Sequence, residues 1–386
     1  KQPMPIPLRV ALHDRARNAL GEERLIVLDK ARGSFDLGEA AQSPALSINR
    51  GFSAPVSIER PVDREELAFL ARHDDDPFAR YEAMQDLVVG HLVRAAGGDL
   101  SDAERAEGER AIAAAMGGIL TDDALDDQMR GELMLLPGIT YLMESIPSAD
   151  PSLIGAEREA IKRVIGNALG QELRDLHDRA SAVPFSMDAT AKGARKVKTL
   201  ALSLLAAADP AATEKRAAQQ YDSADNMTDR QGALMVLTGL PGAARTDKLL
   251  DFYNRYRGNA LVIDKWFALQ ASSLHPEVIE HVKALAQHPD FTLKNPNRVR
   301  SLYMAFTGTP QGFHAASGEG YRLIADLVLA LDPINPQTAA RFIPSLGRWR
   351  RIEPVRAALM RAELERIAAA PKLSRDTYEQ VSRSLG

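Results

Sequence analysis

The sequence predicts a mainly helical protein: an α-solenoid of HEAT/armadillo-like repeats over residues 61–386, preceded by a partial immunoglobulin-like β-sandwich over residues 1–60. Three observations predict it. Apolar residues alternate in short runs up to about residue 60 and recur at helical spacing from Pro61 onward. Asp or Asn followed by Pro punctuates the second region again and again. Basic residues recur at a spacing near that of a two-helix repeat.

The strands come first. Leu8–Leu12 alternates, Arg24–Leu28 is a short apolar run, and Ala45–Ile48 and Val56–Ile58 follow, separated by Gly, Ser, Pro and Asp clusters. Four strands are few for a sandwich that must cover two inner faces. Either its first strands lie upstream, which is the preferred expectation, or the sheet leans on its neighbour. Lys1 in place of Met agrees with a piece cut from a longer chain. The opening KQPMPIPLRV lacks the charged start and apolar core of a secretory signal.

Helix starts are expected at Asp63, Asp76-Pro77, Thr121-Asp122-Asp123, Asp150-Pro151, Asp209-Pro210, Asn295-Pro296 and Asn335-Pro336. A side-chain oxygen at the cap takes an orphan backbone N–H, and proline at the next position has none to lose. Helices of about 10 to 18 residues joined by short turns account for the remainder.

The repeat is weak but ordered. Arg230, Lys265 and Arg300 are thirty-five residues apart, Arg341 follows forty-one later, and Arg80 opens the series. A period of that size is one stacked helix pair, which buries its apolar face only against the next pair.

Composition narrows the function classes. The 386 residues are 45% hydrophobic, enough for more than one core, and the net charge of −4 gives no general attraction to nucleic acid or anionic lipid. Absence of cysteine excludes disulfides and thiolate metal sites and fits a reducing, cytoplasmic setting. No apolar run approaches the length of a membrane span.

A complete catalytic set is not found. There is no H-E-x-x-H, G-x-S-x-G, Walker A loop or G-x-G-x-x-G. His275, Glu277 and His281 cluster, but on one helix histidines six apart would face different sides, so no shared metal is expected. Asp74, Asp75 and Asp76, and Asp122, Asp123, Asp126 and Asp127, are read as caps rather than cation ligands. Gly308–His314 is a turn too short to cradle phosphate, and Trp266 and Phe267 are expected in the core.

One helix start breaks a local rule. In FTLKNPNRVRSLYMAF, Arg298 and Arg300 fall in the first turn and a half after Asn295, where cations oppose the helix dipole at a cost of about 0.3–1 kcal/mol each. One explanation is an anion site built from free N–H groups and guanidinium donors. The other is that an arginine in each repeat bonds the next repeat, with Asp264 and Asp290 available. Asn335-Pro336-Gln337, with Arg341 one turn on, repeats the arrangement, so Arg300, Gln337 and Arg341 are candidates to share one surface.

Six blocks carry a family resemblance: SINRGFSAPVSIE, DPFARYEAMQDL, DNMTDRQGAL, VIDKWFALQA, FTLKNPNRVRSL and INPQTAARF, in that order. Together with the ending LSRDTYEQVSRSL, they resemble the C-terminal portion of the bacterial aminopeptidase N family of zinc-dependent gluzincins. The resemblance implies a longer parent with an N-terminal β-domain, a thermolysin-like catalytic domain, a small β-sandwich and a helical C-terminal domain. That last domain caps the active-site cavity and contributes to the primed subsites. It further implies zinc in the parent but none in this chain, and the catalytic domain of the same polypeptide and peptide substrates as partners. By matching position, Arg300, Gln337 and Arg341 are the expected cavity-facing residues, and no residue here is expected to be catalytic. The competing reading is a free-standing solenoid that binds a protein or peptide. A nucleic-acid-binding repeat ranks third, against the net acidity and an aromatic content of 5%.

Overall fold

The structure, a computed structural model, describes residues 4–15, 19–38 and 44–386. Lys1–Pro3, where the absent start Met is read, lie outside the described residues. The chain divides into two compact units, residues 1–95, 99–137 and 161–204 in one, and residues 96–98, 138–160 and 205–386 in the other.

In the first unit, strands β1 (Ile6–Asp14), β2 (Ala19–Leu20), β3 (Arg24–Leu28) and β4 (Pro44–Ile48) form one antiparallel sheet. Its centre is β1, which pairs with β3 over Ile6–Val10 and with β4 over Val10–Asp14. Period-two alternation turns Leu8 and Val10 inward, and Ile6, Ile26, Leu46 and Ile48 pack against them. Val56–Ile58, expected as a strand, is not one. The Val56 N–H is spent locally on the Ala54 carbonyl at 2.9 Å and Pro55 has none, so no ladder forms. Val56 and Ile58 still pack on the sheet as unpaired extended chain.

The sheet also leans on a helix, the alternative ranked second from the sequence. Glu66, on the helix Arg64–His73, accepts the Leu46 N–H at 3.0 Å, and Arg60 bridges Glu66 and the Leu46 carbonyl. That helix packs on Asp102–Leu120, which opens with a reciprocal Ser101–Glu104 capping box.

Most expected caps form. Asp63, Asp76, Asp150, Asp209, Asn295 and Asn335 each accept backbone N–H groups at a helix start. Thr121–Asp123 is a correction: the next helix, Asp127–Leu133, is capped by Asp126 instead. Asp122 faces Arg80 at 2.9 Å and Asp127 faces Arg130 and Arg179, so both serve as guanidinium partners.

The second unit is a run of packed helices, including Pro210–Ser223, Met227–Thr238, Ala243–Tyr256, Ala260–Ala271 and Val278–Ala286. Met227–Thr238 packs on Ala260–Ala271, which packs on the segment after Pro296, so alternate helices stack as a solenoid requires. Buried Phe252, Phe267, Phe306, Tyr321 and Phe342 fill the spaces between them. Bonds across the repeats fix the stacking: Ser273 Oγ donates to the Thr238 carbonyl at 2.6 Å, and Trp266 Nε1 to the Leu249 carbonyl at 2.9 Å. Trp266 and Phe267 are core residues, as expected. No described helix is long and apolar enough to cross a membrane.

Candidate functional site

The stretch from Asn295 separates its two arginines. Asn295 caps the turn Pro296–Val299 by accepting the Asn297 and Arg298 N–H groups, as the sequence predicts. Arg298 is buried. Its Nε donates to Asp264 at 2.5 Å, another nitrogen bonds the Asp290 carbonyl, and the guanidinium carbon lies 4.8 Å over the Phe267 ring. Arg298 therefore locks one repeat onto the one before it, and the ion pair offsets the unfavourable dipole position.

Arg300 lies two residues on and behaves differently. It is exposed, and among the described residues it bonds only the side-chain oxygen of Asn297 within its own turn. It also begins a π-helical turn, Arg300–Met304, inside what the sequence predicts as a regular helix. A π turn widens the helix by one residue and resets the direction of the side chains after it. Gln337 and Arg341 follow the Asn335 cap in the same manner. Both are exposed, and neither has a hydrogen-bond or ion-pair partner among the described residues. The three predicted residues thus present exposed donors without a carboxylate partner among the described residues, two of them cationic, just after two helix starts.

The earlier basic residues of the series have structural partners. Arg80 is buried against Asp122 and the Ala71 carbonyl, and Arg230 bonds Tyr256 at 2.7 Å and the Ala224 carbonyl. Lys265 is exposed and reaches Gln231 at 3.2 Å.

Two groups of potential metal ligands converge, and one corrects the sequence reading. His275, Glu277 and His281 bring ligand atoms within 4.8 Å of one another. The helix starts only at Val278, so His275 sits in the preceding turn and folds back, and its ring centroid is 4.8 Å from that of His281. The group still does not fit a zinc site. His275 Nδ1 accepts the Glu277 N–H at 3.2 Å, and Arg245 Nη2 lies 3.0 Å from His281 Nδ1 and 3.3 Å from its Nε2. Burial, with Arg245 next, lowers the His281 pKa to about 4, so a neutral ring already faces a guanidinium where a metal would compete.

His13, Asp74 and Asp75 form the other group, and Arg50 fills the cation's place. Arg50 donates to Asp74 at 2.9 Å, Asp75 at 2.6 Å and Glu23 at 2.9 Å. Burial opposes its charge, and the bonds to Asp75 and Glu23 outweigh that, so its pKa is raised. Asp74 is 2% exposed; burial opposes its charge too, but the neighbouring His13 and Ser47, the Asp76 N–H at 2.9 Å and the Arg50 guanidinium hold its carboxyl below the ordinary value. Sequence reasoning missed this network, whose partners lie in four separate segments without a common spacing.

Known proteins match along the whole chain. Residues 64–386 match the family described as a domain of unknown function, DUF3458_C, ARM repeats, and residues 1–61 match DUF3458, Ig-like fold. Aminopeptidase N of Caulobacter vibrioides is 37% identical over 95% of this chain and 42% of its own length. Aminopeptidase N of Escherichia coli is 30% identical over 100% of this chain and 45% of its own. The crystal structure of Legionella pneumophila aminopeptidase A in complex with aspartic acid superposes with a TM-score of 0.85 at 28% identity, over 99% of this chain and 45% of that one. The chain spans less than half the length of each of these relatives. It belongs to the DUF3458_C family of ARM-repeat domains, with the Ig-like region before it, and corresponds to the C-terminal portion of bacterial aminopeptidase N.

Proposed function

We propose that this chain is the cavity-capping part of a cytoplasmic zinc aminopeptidase that removes N-terminal residues from peptides. In this reading the catalytic part of the same polypeptide holds the zinc, and the present chain is inactive alone. Arg300, Gln337 and Arg341 contact substrate beyond the scissile bond. The observation that carries the reading is the contrast within one helix start: Arg298 is consumed by Asp264 and Asp290, whereas Arg300 has no carboxylate partner. Arg341 and Gln337 are freer still.

The chemistry available to these groups is recognition. Guanidinium donors bind a substrate carbonyl or carboxylate and orient it; Gln337 can donate and accept along a peptide backbone. Arg341→Ala in the whole enzyme should raise KM for peptides about tenfold and leave KM for single-residue anilides near its starting value. Equal effects on both substrate types would remove the downstream role. Hydrolysis of aminoacyl anilides by the isolated chain with zinc, at the rate of the whole enzyme, would overturn the division of labour.

A further inference from the structure

In the second unit two exposed cations on packed neighbouring segments, Lys265 and Arg300, have no carboxylate partner among the described residues. Met227–Thr238 packs on Ala260–Ala271, which packs on Arg300–Met304. Each leaves accessible residues at a four-residue step, which in the two α-helices keeps both on one face. The stripes are Gln231 and Met235, then Leu261 and Lys265, then Arg300 and Met304. Lys265 Nζ donates to Gln231 Oε1 at 3.2 Å, so the first two stripes are adjacent. Three carboxylates of these repeats are engaged elsewhere. Asp264 is held by Arg298, Asp290 accepts from the Tyr253 hydroxyl at 2.7 Å, and Asp251 from the Tyr221 hydroxyl at 2.8 Å. Lys265 and Arg300 are left with neutral amide partners alone.

We infer that these stripes read a bound peptide for an acidic side chain, with Lys265 as a specificity-determining residue beside Arg300. The inference deepens the proposed function and rests on peptides reaching Arg300. Packed helices lie about 8–10 Å apart and an extended peptide advances about 3.3 Å per residue. Alternate side chains of such a peptide share a face about 6.6 Å apart, so Lys265 meets the side chain about two residues from the one at Arg300. Met235 and Met304, both exposed, offer adaptable apolar contact to the side chains between.

The test is fluorescence anisotropy on the whole enzyme that carries this chain, stripped of zinc so that the probe is not cleaved. The probes are a labelled hexapeptide with three acidic side chains and its counterpart with the corresponding amides. The acidic peptide should bind about three- to tenfold more tightly, an advantage that fades between low and high salt. Lys265→Gln, which keeps a donor for Gln231, should erase most of that advantage and leave the amide peptide unchanged. Lys248→Gln, whose lysine already pairs with Asp222 at 2.7 Å, should not alter the preference. Equal binding of both peptides, or a preference that survives Lys265→Gln, overturns the inference while the peptide-facing reading stands. Failure of either peptide to bind at any salt concentration overturns both.

Discussion

Two buried arginines, one from each unit, are held in different ways. In the first, Arg50 gathers Glu23, Asp74 and Asp75 into one node, with Ser47 at 2.9 Å as a further acceptor. In the second, Arg298 takes one carboxylate and one carbonyl from the preceding repeat, and the smaller Gln231–Lys265 contact spans the same thirty-four residues. The node ties together strand, loop and helix segments that follow no period. The ladder repeats because stacked units present equivalent positions to one another. A buried charge in a node has nothing to replace it, whereas a ladder spreads its cohesion over many apolar contacts.

Breaking the node should have the largest effect. Arg50→Met leaves Asp74 charged, buried and short of its cation, a loss of about 3–5 kcal/mol in urea unfolding followed by circular dichroism. Adding Asp74→Asn should recover a substantial part of that loss, and no recovery would show that the arginine acts by packing alone. Breaking the ladder should cost less. Arg298→Met should destabilise by about 2–3 kcal/mol, because Asp264 keeps partial access to water while the contact over Phe267 is lost. A loss equal to that at Arg50 would erase the distinction between node and ladder.

The smallest effect concerns protons. Burial, then nearby arginines, lowers His91 of the first unit to about 4 and His314 of the second to about 3. Both fall below the ordinary value of about 6.5 in an unfolded chain. The unfolded state then binds the proton first, so stability is full above about pH 6.5 and falls as pH drops toward the folded values. Stability measured across pH 4 to 7 should depend less steeply on pH in both His91→Asn and His314→Asn than in the unaltered protein. Unchanged slopes in both variants would remove these rings from the acid response.

Legibility followed distance along the chain. The caps at Asp63, Asp76, Asp209, Asn295 and Asn335 could be read because each is satisfied within three residues. Asp122 misled because its partner is Arg80, forty-two residues away, and Val56 because a local turn spent its N–H. The separation of His275 from His281 failed for a related reason: the argument assumed a helix that begins only at Val278. For Arg298 and Arg300 the sequence offered two explanations; bonding between repeats is the one that holds for Arg298, and the anion site at Arg300 is a proposal.

The sequence by itself determined the change from strands to helices, the positions of most helix starts and the family resemblance, because these rest on local hydrogen bonding and periodic burial. Only the tertiary structure decided which cations are consumed and which remain free. A guanidinium's role depends on whether a carboxylate from another segment arrives beside it, and that is a property of packing between repeats.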